Sequence, residues 1–326
     1  MWDYLEMKLL DYLHWNDVNT DNLNFFRAMG VESLLVHFPE EIALSQDIET
    51  EFRRMKSFVE RHHLELHVLH AHYVPRDKIV HGLPGRDQQI QSWQRVLRAM
   101  GAVGVQNTAL TFQGIGHFRT SHTTGRGGVT YSTFDLREHM ADAPEHPVKV
   151  ISADRLWENL GHFYEHIIPV AEESGVRLAL HPDDPPIDRP LGGADRIVVS
   201  LDNYQRIFDL VPSSSNGMLF CQGCVAEMGE DVQKAIRYIG KQDKIVFVHF
   251  RNIRGIPQGD DYWFQEVFLD EGQVDMVESM ESYRDIGYQG AIMMDHTPGI
   301  PHERAGWSSR AWSNGYLKAL IKAVYR

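Results

Sequence analysis

The stretch VRLALHPDDPP, residues Val176–Pro186, determines how the rest of the chain is interpreted. It opens with an apolar run that predicts a short buried strand. The strand ends at His181, and the two aspartates and three prolines that follow prevent a regular continuation. A buried strand that ends on a metal-capable side chain, followed by a stiff acidic loop, is typical of an active-site edge in an α/β protein.

Composition and charge exclude several classes of function. The chain has 326 residues, of which 43% are hydrophobic, and a formal net charge of −13. Such an acidic balance argues against a nucleic-acid groove and against binding to an anionic membrane surface. No apolar run approaches the ~20 residues of a membrane helix, and the N-terminus lacks the basic head of a secretion signal. With only Cys221 and Cys224, we expect no disulfide framework and a cytoplasmic location.

Eight strand–helix units follow one another along the chain. This alternation predicts an α/β fold, a (β/α)8 TIM barrel that forms a single domain over residues 1–326. A doubly wound open sheet is the alternative, but the chain has no glycine-rich phosphate loop after a strand. The predicted strands are Met7–Leu13, Val31–Phe38, Leu64–His72, Val105–Phe112, Val176–His181, Met218–Cys221, Lys244–Arg251 and Gly290–Asp295. The predicted helices are Thr20–Met29, Ser45–His63, Arg86–Met100, Ala153–Ser174, Leu201–Leu210, Glu230–Ile239, Val274–Ile286 and Arg310–Tyr325.

A long polar segment, residues 113–151, interrupts the alternation after the fourth strand. Segments of this length within a compact domain are usually lids or binding loops. We therefore interpret it as a loop insertion, and we expect Arg119 and Arg126 within it to reach an anionic substrate.

Polar, metal-capable side chains end at least six of the eight predicted strands. Active sites of TIM barrels are built at that edge. A single such histidine would more often be a core residue that bonds to the backbone, but four consecutive strand ends favour a metal centre. Neutral imidazole, thiolate and carboxylate suit a divalent first-row metal, and the set admits zinc, manganese, iron or cobalt. The four candidate ligands are His181, Cys221, His249 and Asp295.

Several neighbours of these ligands have candidate roles. Asp183 and Asp184 either orient His181 or cap a turn between prolines. Arg251 either clamps a substrate carboxylate or forms a salt bridge inside the barrel. His296 follows Asp295 where the chain turns, so both side chains can face the cavity, and His296 is a candidate general acid or base.

Motifs distributed along the chain together resemble the mannonate dehydratase family. They are HGLPGRDQQIQSWQRVLRAMGAVGV at 81–105, HPDDPP at 181–186, FCQG at 220–223, FVHFRNIRG at 247–255, DEGQVDM at 270–276 and DH at 295–296. The resemblance covers most of the chain from about residue 60 onward. It implies a barrel related to xylose isomerase and a divalent metal, usually Mn²⁺, with Fe²⁺, Co²⁺ or Zn²⁺ as alternatives.

The resemblance also implies an activity and a set of roles. The activity is removal of water from D-mannonate, a small sugar acid, to give 2-keto-3-deoxy-D-gluconate in hexuronate breakdown. By motif, Arg251 would hold the substrate and His296 would be a catalytic acid–base, beside the same four metal ligands. We further expect Arg119, His72 and Trp307 to contact the substrate. Family precedent implies a dimer or larger assembly of identical chains.

The chain departs from the family pattern at several positions. The arginine that usually precedes the strand-eight DH is Met293, and Gln265 replaces a histidine. A tyrosine implicated in catalysis aligns with Trp307, which has no acidic hydroxyl. The first strand-to-helix loop, LHWNDVNTDN at 13–22, matches poorly. These departures indicate a divergent member, in which Tyr73, His302 or Tyr316 is a candidate replacement for the missing tyrosine.

Two other functions remain open from the sequence. A metal-dependent isomerase or epimerase on the same barrel would use similar strand-end ligands on a neutral sugar. A non-catalytic descendant would bind metal or sugar without turnover.

Overall fold

A computed structural model describes residues 7–142, 150–300 and 307–325. Eight parallel strands close into a barrel, because the first strand pairs with both the second and the last. This closure confirms the predicted TIM barrel and excludes the open sheet. The barrel strands are β1 (Lys8–His14), β2 (Ser33–His37), β3 (Glu65–His70), β4 (Asn107–Leu110), β7 (Arg177–Leu180), β8 (Asn216–Cys221), β9 (Ile245–His249) and β12 (Ala291–Met293).

The barrel strands are apolar because they are covered on both faces. Every residue of β8 and β9 is buried, as expected for strands enclosed by helices outside and by packed side chains inside. The helices are α1 (Thr20–Ala28), α2 (Glu40–Leu44), α3 (Ile48–Arg61), α4 (Asp77–His81), α5 (Arg86–Val103), α6 (Leu136–Asp142), α7 (Ala153–Glu173), α8 (Leu201–Leu210), α9 (Gln222–Glu227), α10 (Val232–Gly240), α11 (Met276–Asp285) and α12 (Trp307–Val324). No helix of the described ranges has both the length and the apolar content needed to span a bilayer.

The longer helices begin where the sequence supplies a capping side chain. Ser152 accepts a hydrogen bond from the amide of Arg155 at the start of α7, and Asp275 caps α11 in the same way. The last helix is also held by a buried ion pair. Asp11 on β1 is fully buried and accepts hydrogen bonds from Arg310 and Asn314, at 2.5 and 2.7 Å.

The segment after the fourth barrel strand is not the irregular loop that we expected. It contains β5 (Ser121–Thr124), β6 (Thr130–Asp135) and α6. These strands join β10 (Asn252–Ile256) and β11 (Trp263–Val267) in an antiparallel sheet of order β10-β11-β6-β5. The prediction failed because β6, TYSTFD, is threonine-rich rather than apolar, and its partner β11 lies more than a hundred residues away. Part of the predicted loop, residues 143–149, lies outside the described residues.

Candidate active site

A cavity of about 470 Å³ opens at the carboxyl ends of the barrel strands. It is lined by side chains from both sides of the barrel mouth and from the antiparallel sheet. Its depth comes from that second sheet, because β11 and the segment before β5 contribute Glu266 and Arg119 to the lining. The count of eight strand–helix units does not by itself predict that Glu266 and Arg119 line the cavity.

Three of the four predicted metal ligands lie together. One donor atom from each of His181, Cys221 and His249 lies within 4.8 Å of the other two. Cys221 and His249 end adjacent strands and are register partners, and the amide of His181 bonds to the end of β4. Asp295 is placed beside them, with its Oδ1 3.4 Å from Nδ1 of His249. The structure therefore brings all four side chains together: His181, His249 and Asp295 line the cavity, and Cys221 is fully buried beside them.

The ring of His181 is fixed by the backbone. Its Nδ1 donates to the carbonyl of Pro182 at 2.7 Å, which leaves Nε2 for a ligand. Asp183 does not perform this role, contrary to our expectation. Its carboxylate accepts hydrogen bonds from the amides of Ile197 and Val198, at 3.0 and 2.9 Å, and thereby holds the following loop.

The two cysteines differ in their electrostatic surroundings. Burial would raise the pKa of the Cys221 thiol, but Cys224, Arg251, His181 and His249 together bring that pKa well below its usual value. Burial and the neighbouring Cys221 raise the pKa of Cys224. Because a thiolate is the form that binds metal, Cys221 is the better ligand of the pair. This agrees with the preference for Cys221 that the strand position indicated.

Asp295 has an unusual backbone conformation that serves the site. Its φ of 73° lies in the left-handed region, which few non-glycine residues adopt. The turn follows directly after β12, and both Asp295 and His296 line the cavity. Although burial opposes charge on the His249 ring, the Asp295 carboxylate raises the pKa of His249 to about 9.

Arg251 is the centre of a buried ionic network rather than a free guanidinium. Its side chain is 2% exposed. One end donates to Glu266 at 2.6 Å and to Asp184 at 3.2 Å. The other end donates to Glu227 at 2.7 Å and to the sulfur of Cys224 at 3.1 Å. A substrate carboxylate would have to compete with these partners, so the geometry supports a positioning role for Arg251.

Arg119 is committed in a similar way. Its guanidinium donates to Asp184 at 2.8 Å and also pairs with Glu266. Asp184 therefore joins both arginines and lines the cavity. Among the described residues it makes no hydrogen bond to the ring of His181. With Glu227 and Asp295, four carboxyl groups surround two guanidinium groups.

His296 lies where that network meets the cavity. Its Nε2 is 3.2 Å from Nη1 of Arg251, and its Nδ1 is 3.4 Å from the Glu266 carboxylate. The Asp295 carboxylate also lies 3.5 Å from Nε2, so both ring nitrogens of His296 have a carboxylate nearby. The ring is 43% exposed, which gives it access to the cavity.

Of the remaining predicted substrate contacts, some line the cavity and others lie elsewhere. His72 and Tyr73 line the cavity, and their rings are 4.7 Å apart. Trp307 does not belong to the described lining, which corrects our expectation. It packs on α1, with its ring centroid 4.2 Å from that of Phe25, because an apolar helix face offers a large indole more contact than a polar cavity does.

Other candidates also lie away from the cavity or outside the described residues. Tyr316 stacks on Trp312, and Arg126 pairs with Asp270 at 2.7 Å, both remote from the metal ligands. His302 falls outside the described ranges.

Several residues of the cavity and of the buried ionic network beside it escaped the sequence interpretation. Glu227 and Glu266 lie on α9 and β11, which were not predicted as separate elements. Tyr12 and His14 alternate on β1 and both line the cavity. The sequence signal for these two residues was the alternation of side chains along β1, which ends on a histidine.

The donor set fits a divalent metal ion on structural grounds. Two imidazoles and a thiolate-favouring cysteine converge, and a carboxylate lies beside them. Such a site can bind an anionic or hydroxylated ligand in the adjoining cavity and exchange protons with it through His296.

Comparisons of the whole sequence with known proteins all lead to one family. The sequence profile of the family described as D-mannonate dehydratase (UxuA) matches residues 144–326. Mannonate dehydratase of Thermotoga maritima is 30% identical over 312 residues, covering 84% of this chain and 85% of the relative. Mannonate dehydratase 2 of Halalkalibacterium halodurans is 30% identical over 300 residues, covering 83% and 86%.

Solved structures show the same relationship. Mannonate dehydratase from Streptococcus suis serotype 2 superposes with a TM-score of 0.84 at 26% identity, covering 97% of this chain and 94% of the other. D-Psicose 3-epimerase from Clostridium cellulolyticum H10 has a TM-score of 0.61 at 14% identity, covering 98% and 96%. The second likeness concerns the barrel fold alone.

Proposed function

Because the chain belongs to the mannonate dehydratase family, a family of hydro-lyases, we propose that it removes water from D-mannonate to give 2-keto-3-deoxy-D-gluconate. The observation that carries this proposal is the convergence of His181, Cys221 and His249 at the edge of the cavity. Metal dependence is part of the proposal. We infer Mn²⁺ as the metal, with Fe²⁺, Co²⁺ or Zn²⁺ as alternatives that the same donors accept.

The proposed ligands are His181, Cys221, His249 and Asp295. When bound, the divalent cation supplies positive charge that stabilises the carboxylate-bearing end of the substrate as its α-proton is lost. The rest of the reaction depends on protein side chains. The C2–H and C3–O bonds break, water leaves, and the resulting enol becomes the 2-keto acid.

His296 is our candidate for one of the two proton transfers. Its ring is accessible, and it lies beside Arg251, Glu266 and Asp295. The second transfer needs another group. Of the sequence candidates, Tyr73 lines the cavity, where it is 43% exposed, so we propose that Tyr73 takes this role.

The direct test is incubation of the purified protein with Mn²⁺ and D-mannonate, followed by detection of a 2-keto-3-deoxy acid. We expect product with the wild type and none after chelation of the metal. A preparation that contains bound metal but yields no keto acid from D-mannonate would refute the assignment. Size-exclusion chromatography tests the proposed dimer, and fractionation tests the proposed cytoplasmic location.

One observation favours a second candidate, a metal-dependent isomerase or epimerase. Both guanidinium groups that line the cavity, Arg119 and Arg251, are paired with protein carboxylates. A neutral sugar would not need a free cationic side chain. Conversion of a ketohexose to its epimer, without dehydration of D-mannonate, would favour this candidate.

A further inference from the structure

The cavity has a second polar surface that the proposed metal centre does not use. Three histidines end adjacent strands at one level: His14 pairs in register with His37, and His37 pairs with His70. His72 follows directly, with its ring 5.8 Å from that of His70. We call these four side chains the histidine wall. All four line the cavity.

The closed strand order places this wall opposite the metal ligands. Around the barrel the order is β1-β12-β9-β8-β7-β4-β3-β2. In a ring of eight strands, β2 is therefore diametrically opposite β8. The neighbours of β2 are β1 and β3, and the neighbours of β8 are β9 and β7. His37 thus faces the side of the cavity on which Cys221 lies. A ligand held at the metal side extends towards the wall.

The two halves of the cavity differ in charge. The acidic and guanidinium groups of the described lining, such as Asp184, Arg251 and Glu266, come from elements after β4. The described lining from β1, β2, β3 and the turn after β3 contains no lysine, arginine, aspartate or glutamate. Besides the wall, it offers the hydroxyl groups of Tyr12 and Tyr73.

The wall itself is built to be neutral. The rings of His37 and His70 are stacked with centroids 4.5 Å apart, and those of His14 and His37 are 5.1 Å apart. Imidazolium groups at these separations would repel each other in a poorly solvated place. Burial accordingly lowers the pKa of His37 to about 3 and that of His72 to about 4. The imidazoles of His37 and His72 therefore remain neutral hydrogen-bonding groups.

Two of these rings have unused hydrogen-bonding capacity. Nδ1 of His37 and Nδ1 of His70 are buried without a partner among the described residues, and His70 is 8% exposed overall. An unpaired N–H is rarer in protein interiors than an unpaired acceptor. The arrangement thus favours a proton on Nε2, the nitrogen that is left for the cavity.

We propose that the histidine wall is the subsite for the neutral, hydroxyl-bearing tail of a sugar monocarboxylate, and that it excludes acids with a second anionic group at the far end. This proposal rests on the proposed function, since the carboxylate end is assigned to the metal side. Imidazole N–H groups donate to sugar hydroxyls. A second carboxylate or a phosphate would find no cationic side chain in the lining of this half to replace its hydration, because Arg76 is not part of the lining and its guanidinium donates to the carbonyl of His72 and to Thr111.

The test is direct binding of three acids to Mn²⁺-loaded protein in a His296→Asn background, which prevents turnover from consuming the ligand. D-Mannonate carries the full neutral tail. D-Mannarate has the same carbon chain with a second carboxylate at C6. D-Glycerate keeps the carboxylate end and lacks the tail. Isothermal titration calorimetry gives the three dissociation constants.

We expect D-mannarate to bind at least about tenfold more weakly than D-mannonate, and His37→Phe or His70→Phe to weaken D-mannonate about 5- to 10-fold per lost hydrogen bond. Phenylalanine preserves the ring volume and the stack. Binding of D-glycerate should change less than about twofold in both variants. His37→Gln, whose amide can replace the Nε2 donor, should recover most of the loss. His166→Phe, at an exposed site on α7, is the matched control and should change nothing.

Three results would overturn the inference: equal binding of D-mannarate and D-mannonate, equal weakening of D-mannonate and D-glycerate by the wall variants, or no binding of any of the acids. Failure of the proposed function gives a different pattern. In that case the wall discriminates as described, but wild-type protein releases no keto acid from D-mannonate.

Discussion

Gly223 lies directly against the guanidinium of Arg251, so closely that a β carbon built on Gly223 would lie 2.3 Å from Nε of that arginine. The glycine stands on α9 between the two cysteines. Since Arg251 joins Glu227, Asp184 and Glu266, any side chain at this position must displace the centre of the ionic network.

Replacement of Gly223 by alanine should therefore damage both stability and activity. We expect a loss of about 1–3 kcal/mol in the free energy of unfolding from overpacking, and a fall in kcat/KM of tenfold or more as Arg251 and His296 shift. Urea denaturation and steady-state kinetics measure the two effects. Gly315→Ala on α12 is the control, because no atom lies within 4 Å of the new methyl group.

Metal retention should depend far more on one cysteine than on the other. Cys221→Ser removes a proposed ligand and should weaken Mn²⁺ binding at least about 100-fold. Cys224→Ser keeps all four proposed ligands and removes a sulfur that accepts from Arg251 and lowers the pKa of Cys221, so it should weaken Mn²⁺ binding far less. Metal analysis after dialysis against a graded chelator series measures this difference. Equal loss in the two variants would contradict the assignment of Cys221 as the ligand.

Loss of the proposed proton-transfer group should affect turnover and leave the metal in place. We expect His296→Asn to lower kcat about 10²–10⁴-fold with unchanged metal content. Glu266→Gln should reproduce part of this effect, because Glu266 faces Nδ1 of His296. A His296→Asn variant with wild-type kcat would eliminate His296 from the chemistry.

Breaking the buried ion pair between β1 and α12 should be strongly destabilising, because it leaves a guanidinium unpaired. Asp11→Ala leaves Arg310, which is 13% exposed, without its carboxylate partner. We expect a cost of about 3–5 kcal/mol, measured by urea denaturation. The comparison is Glu49→Ala, which breaks the exposed Arg53–Glu49 pair on α3 and should cost less than about 1 kcal/mol.

The half-exposed Glu65 should make a small, pH-dependent contribution. A hydrogen bond from His67, together with Lys8, lowers the pKa of Glu65 from 4.5 to about 2. A carboxyl group with a depressed folded-state pKa stabilises the fold above pH 4.5, and this benefit declines as the pH falls towards about 2. Glu65→Gln should therefore cost less than about 1 kcal/mol at pH 7, and the difference from wild type should shrink at pH 3.5.

Much of the fold could be predicted from local patterns. The strand that ends at His181 is apolar, of strand length and closed by prolines, and seven similar runs alternate with amphipathic helices. Each of these signals lies within a few residues of the chain, so one sequence suffices to detect it. The antiparallel sheet had no such signal, because Thr133 and Gln265 become neighbours only when distant segments pair.

The candidate site shows the same division. Residue types at strand ends determined the candidate ligands, because the carboxyl ends of parallel barrel strands must meet at one edge. The sequence by itself thus determined the barrel, the family and the place of a metal-capable cluster. Tertiary structure alone decided that Arg251 is enclosed by carboxylates, that Trp307 packs on Phe25, and that His37 and His70 stack opposite Cys221. Those relations depend on strand register and on which side chains compete for the same space, and neither quantity is contained in any short stretch of sequence.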